Sequence, residues 1–180
     1  KLIELLRPVR DSGAKSIVFS QMKEGIKHLD HVLKKLRFGT AMIIRGSSLD
    51  EQRNALVRFN TDPHCSVFLL HASTAAAGLT LTAATHAFFL EPFTCKEEEN
   101  QAMARIHRIG QTKNVISTTL YMRSSIEERM LALRRQGGGG GRQAEGDSLA
   151  LLVDEETKND SAAATEEDLF FLLGVQKGHI

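Results

Sequence analysis

The chain has 180 residues, 42% hydrophobic and 25% charged, enough for one well-cored globular domain plus a tail. No apolar run approaches the ~20 residues that a membrane-spanning helix needs, so no membrane partner is expected. The formal net charge of +1 hides an asymmetry: residues 1–136 carry 20 Lys/Arg against 13 Asp/Glu, and residues 137–180 carry 3 against 9. A basic body suits a polyanionic partner, and an acidic tail suits a solubilising segment.

In chain order, Lys1-Leu2-Ile3-Glu4 runs straight into a helical pattern with neither an initiating Met nor a signal peptide. A segment of a longer protein is therefore expected. Ile17-Val18-Phe19 reads as a buried strand, and Met22, Ile26, Leu29, Val32, Leu33 and Leu36 then recur at helical spacing. Ala41 to Ile44 is a second strand. Leu49-Asp50-Glu51 opens a helix that buries Leu56 and Phe59, and Asp62-Pro63 stops it. Val67 to Leu70 and Ala87 to Leu90 are the third and fourth strands. A helix is predicted from about Glu97 to Gly110, its acidic start favoured by the helix dipole. Val115 to Tyr121 is a fifth strand, and Ser124 to Arg135 a closing helix with Ser124 and Glu127 as its capping box.

This alternation predicts an α/β, three-layer αβα domain with a mainly parallel sheet over residues 1–136. Ligands then belong at the carboxyl ends of the strands, just after Phe19, Ile44, Leu70 and Leu90. Residues 137–164, opening on five glycines, read as a linker or insertion. Residues 165–180 read as a C-terminal helix packing back on the lobe. Cys65 and Cys95 stand far apart without a CxxC partner, which points to a reducing, intracellular setting rather than a disulfide framework or zinc site. His28 and His31 lack any carboxylate or thiol cluster and read as a solvated helix face.

The strongest chemical signal is the string Gln101-Ala-Met-Ala-Arg105-Ile-His-Arg108-Ile-Gly110-Gln111. On a helix, Arg105 and Arg108 project from one face. Two guanidiniums so placed make a fork for phosphate oxygens. Taken alone, the same pair could be a solvated basic helix end.

The eleven-residue string resembles motif VI of the Swi/Snf branch of superfamily 2 helicases. Other segments fall in order beside it. Ser16-Ile-Val-Phe-Ser20-Gln21 resembles motif IV. Ile44-Arg45-Gly46-Ser47-Ser48 is similar to the next strand and its DNA-facing loop. Residues 73–84 resemble motif V, and Ser124-Ser-Ile126-Glu127-Glu128-Arg129 a segment after the last strand. The closing Glu167-Asp168-Leu169-Phe-Phe-Leu172 is similar to a short terminal helix of these motors. Ala84-Thr85-His86 with Leu90-Glu91-Pro92 is most similar to the SHPRH ubiquitin-ligase branch. Departures are Ala104 for a common Gly, Thr80 for Asn, Gly78 as the only glycine of motif V, and Phe93-Thr94 for tandem tryptophans.

The resemblance implies a RecA-like C-terminal helicase lobe: half of a DNA-dependent, chromatin-remodelling-type ATPase, nuclear, and inactive on its own. It implies ATP with Mg as cofactor, with Arg105 and Arg108 catalytic and Gly78, Gln101 and Gln111 also meeting the nucleotide. It implies Ser20, Gln21, Arg45, Gly46, Ser47, Ser73, Thr74 and Thr80 on the DNA backbone. The sequence has no GxxxxGK[ST] loop and no DExH pair, so the Mg ligands are expected in an N-terminal RecA-like lobe of the same protein. Implied partners are that lobe, double-stranded DNA or a nucleosome, and ubiquitin-pathway enzymes through a RING outside the segment. The alternative is a catalytically silent RecA-like scaffold, against which both motif VI arginines stand.

Overall fold

The computed structural model describes residues 1–77 and 79–137. The elements run α1 (Leu2–Asp11), β1 (Ser16–Ser20), α2 (Lys23–Lys35), β2 (Gly39–Ile43), α3 (Leu49–Thr61) and β3 (Cys65–His71). A 3-10 turn (Ala72–Ala77), β4 (His86–Phe89), α4 (Lys96–Met103), β5 (Ile116–Thr119) and α5 (Ile126–Gly137) follow. The five strands form one sheet in the order β2-β3-β1-β4-β5, and every pairing is parallel. The expected αβα sandwich is therefore present, with strand limits within two residues of those read from the apolar runs.

The inner strands β1, β3 and β4 are buried on both sides because helices cover both faces, whereas the edge strand β5, Ile-Ser-Thr-Thr, is polar and only partly buried. Ile17, Phe19, Phe68, Leu70, Ala87 and Phe89 point into one core with Phe59 of α3, Ala102 of α4, and Leu81, Ala84 and Ile106. Val18, Val67, Leu69 and Phe88 point into the other, against Leu2, Leu6 and Val9 of α1 and Ile26 and Leu33 of α2. Phe89 stacks on Phe19 at 5.1 Å and meets Phe93 edge-on at 5.1 Å. Met22 and Leu36, assigned above to the apolar face of α2, are instead exposed at its ends. His28 and His31 are exposed, as a solvated face requires.

Two local expectations are corrected. The capping box closes at the start of α3, not of α5. There Glu51 N–H donates to Ser48 Oγ at 3.2 Å and Ser48 N–H to Glu51 Oε2 at 2.7 Å. Ser124 sits at φ 57, outside the extended region an N-cap adopts. Its N–H donates to Glu128 at 2.7 Å, while Ser125 Oγ receives the Glu127 N–H at 3.2 Å.

The second correction concerns motif VI. α4 stops at Met103, and residues 104–110 form turns rather than a helix. In a continuing helix the Arg105 carbonyl would accept from residue 109. It accepts instead from Leu81 N–H at 2.9 Å, a tertiary bond that takes the place of the helical one. Gly110, at φ 103, then turns the chain toward β5.

Contacts divide the chain into a unit Lys1–Leu120 and a second from Tyr121 onward. The expected insertion beyond residue 137 and the helix at 165–180 lie outside the described residues. No helix among those described is long and apolar enough to cross a membrane.

Candidate functional site

Because all strands are parallel, the loops leaving Ser20, Ile43, His71 and Phe89 emerge on one edge of the sheet. Ser20, Gln21, Arg45, Gly46, Ser47, Ser73 and Thr74 all belong to that edge. Arg45 is exposed on a two-residue turn whose second position, Gly46, has φ 93, a conformation glycine adopts without steric cost. Ser47 closes this turn: its Oγ accepts the Ile44 N–H at 3.1 Å and its own N–H donates to the Ile44 carbonyl at 3.0 Å. A cleft of about 290 Å³ here is also lined by Lys23, the first residue of α2. Sequence reasoning passed over Lys23. Its place two residues beyond the Ser20-Gln21 segment, at the start of a helix, is the available signal.

After β3, Ser73 and Thr74 fold back on His71. Ser73 Oγ meets His71 Nδ1 at 2.9 Å, and Thr74 Oγ1 donates to the His71 carbonyl at 2.6 Å. At the end of β1, Ser20 is 1% exposed. Its hydroxyl donates to the Glu91 carboxylate, with the two oxygens at 3.0 and 3.1 Å. Gln21 N–H donates to Glu91 as well. Glu91 is the second residue that sequence reasoning missed.

Motifs V and VI form one hydrogen-bonded unit. Arg108 Nη1 donates to Thr80 Oγ1 at 3.1 Å. Gln111 Nε2 donates to the Thr82 carbonyl at 3.0 Å and the Ala84 carbonyl at 2.8 Å, and Gln111 Oε1 accepts the Lys113 N–H at 3.0 Å. Gln111 thus spends its amide on backbone. Arg105 is half-buried and Arg108 exposed. Ile106 between them is fully buried, whereas Ile109 is fully exposed. The buried isoleucine anchors the turn and leaves Arg108 reaching outward. Gln101 is exposed on α4. Gly78 lies outside the described residues.

Burial holds the His86 imidazole below its ordinary value and the Cys65 thiol above its own, so neither is a charged group at neutral pH. Among the described residues, no group of three or more His, Cys, Asp or Glu is placed to hold a metal ion.

Residues 1–110 match the helicase conserved C-terminal domain. The chain belongs to that family. E3 ubiquitin-protein ligase SHPRH of Mus musculus is 37% identical over 125 residues, which is 69% of this chain and 7% of that protein. DNA repair protein RAD5A of Arabidopsis thaliana is 35% identical over 133 residues, 74% of this chain and 13% of that one. The helicase-domain chain therefore spans only a small part of these relatives' length. The solved C-terminal part of the Fun30 ATPase domain superposes with a TM-score of 0.70 at 27% identity, covering 73% of this chain and 43% of that one. The Sulfolobus solfataricus SWI2/SNF2 ATPase core domain has the same fold, with a TM-score of 0.65 over 76% of this chain and 28% of that one. The RecA-like C-terminal lobe inferred from the motifs is thus the fold present.

Proposed function

We propose that this chain is the second motor lobe of an ATP-dependent translocase on double-stranded DNA or nucleosomes, in which Arg105 and Arg108 act as arginine fingers. The observation that carries the reading is the Arg108–Thr80 contact at 3.1 Å, which ties the segment meant for nucleotide to a segment meant for DNA. Two guanidiniums are donor-only forks suited to the oxygens of a triphosphate. ATP supplies the phosphoryl group whose developing charge such arginines offset. Magnesium is assigned to an N-terminal lobe, which holds the phosphate loop and carboxylate pair that this sequence lacks.

The carboxyl edge supports a phosphate-backbone contact rather than base reading. Its donors are the Gln21 amide, Lys23, Arg45, the Gly46–Ser47 turn and the Thr80 hydroxyl, while the Ser73 and Thr74 hydroxyls are turned back on His71 and reach a phosphate only by leaving it. Such contacts position a strand and carry no sequence information. Similarity to proteins named for DNA repair and chromatin remodelling supports a nuclear location. Similarity to a protein named as an E3 ubiquitin-protein ligase supports ubiquitin-pathway enzymes as partners of the whole protein. The test is ATPase measurement on residues 1–180 alone. No turnover above background is expected, and DNA-stimulated hydrolysis by this segment would contradict the two-lobe reading.

A further inference from the structure

We infer that Glu91 is a positioning residue for the loop that meets DNA, and that Ser20 acts through it rather than on DNA directly. The inference rests on the DNA-backbone reading above. β1 and β4 are neighbours, yet the chain leaves β1 for β2 and leaves β4 for β5, on opposite sides. Loops at such a divergence bound the crevice where parallel sheets hold ligands. Glu91 bridges that crevice.

One carboxylate orders three consecutive polar groups. Ser20 Oγ–H and Gln21 N–H donate to Glu91, and Ser20 Oγ accepts the Met22 N–H at 3.0 Å. A hydroxyl has a single proton. Ser20 has given its proton to Glu91, and at 1% exposure no phosphate reaches it. A bare carboxylate at this edge would repel a polyanion, but here its charge is bound by two donors of the loop it holds. The groups left to meet a phosphate are the exposed side chain of Gln21 and Lys23, which lines one cleft with Arg45 and Ser47. The Gln21 amide also lies 3.5 Å from Glu98 Oε2 on the first turn of α4, the outer limit of a hydrogen bond. α4 leads into the motif VI turn. Ser20 and Glu91 are the frame, and Gln21 and Lys23 are the contacts.

The test uses the intact motor with Glu91→Ala, Glu91→Gln and Gln21→Ala. Two quantities are read: amide hydrogen exchange at residues 21 and 22 without DNA, and the duplex concentration that half-maximally stimulates ATP turnover. Glu91→Ala should speed exchange at both amides by about tenfold or more, because Gln21 N–H loses its charged acceptor and Met22 N–H loses the Ser20 hydroxyl that Glu91 holds in place. It should raise the DNA requirement by about tenfold while turnover at saturating DNA falls less than about threefold. A general loss of structure would instead raise the DNA requirement and lower saturated turnover by similar factors. Glu91→Gln, keeping one acceptor oxygen, should fall between. Gln21→Ala should raise the DNA requirement and leave exchange at Met22 unchanged. Unchanged exchange or an unchanged DNA requirement in Glu91→Ala would overturn the proposal. So would a lowered requirement, which would make the carboxylate a competitor of phosphate instead of a support. If the wild-type motor is not stimulated by DNA, the DNA reading fails, and the exchange arm still decides whether Glu91 orders the loop.

Discussion

The two faces of the sheet are covered in different ways. One is packed by α1 and α2, regular helices whose buried residues (Leu2, Leu6 and Val9; Ile26 and Leu33) recur at helical spacing. The other is packed by α3 together with the irregular segments 79–85 and 104–111, which contribute Leu79, Leu81, Ala84 and Ile106. On the first face the backbone satisfies itself along each helix. On the second, polar backbone groups find partners in other segments: Leu81 N–H on the Arg105 carbonyl, and the Thr82 and Ala84 carbonyls on Gln111. Segments held by borrowed hydrogen bonds are the ones that carry Thr80 and Arg108. The first face is held by bonds within its own helices, and the second depends on bonds between segments.

The difference can be broken at Gln111. Gln111→Ala removes two donors and leaves two interior carbonyls without them, a loss of about 1–3 kcal/mol. Thermal unfolding of the segment should shift down by several degrees. In the intact motor, turnover should fall by about tenfold or more as Arg108 loses its support. An unfolding temperature unchanged from wild type would show that motifs V and VI are held by packing alone.

A smaller effect sharpens the contrast from inside the sheet. Burial depresses the His86 pKa below its ordinary 6.5, so the folded state favours the neutral ring. The unfolded chain takes up the proton first as pH falls. The stability associated with neutral His86 is therefore present above about pH 6.5 and is lost as pH drops below that value. Denaturant unfolding at pH 7.5 and 5.5 should give a lower midpoint at the acid value, and His86→Phe should flatten that slope. An equal slope in the variant would assign the acid sensitivity to another group.

Most of the fold is legible in the sequence, because buried parallel strands must be apolar throughout and covering helices must be amphipathic. Ile17-Val18-Phe19 and Val67 to Leu70 need no tertiary information to be read. The end of α4 is different. Residues 96–109 have helical composition, and only the arrival of Leu81 N–H, from a segment more than twenty residues earlier, takes the Arg105 carbonyl out of the helix. The same limit applies to Glu91. Its carboxylate has meaning only once β1 and β4 are adjacent, and their adjacency is a matter of strand order. The motif VI arginines stand out as a spacing of residue types. Their support in Thr80 and Gln111 is visible only in three dimensions.

In the proposed mechanism, Arg108 acts on charge that develops during phosphoryl transfer. Steady-state ATPase of the intact motor at saturating duplex DNA tests it, measured beside nucleotide and DNA affinity. Arg108→Ala should lower turnover by ~10³-fold with both affinities within a few-fold of wild type, since a finger acts on the transition state and not the ground state. Arg108→Lys should fail nearly as badly, because an ammonium cannot reproduce the planar fork. Arg129→Lys, on α5, should retain most of the rate. If Arg108→Ala kept more than about a tenth of wild-type turnover, far short of the loss expected of an arginine finger, motif VI would not hold the role assigned to it.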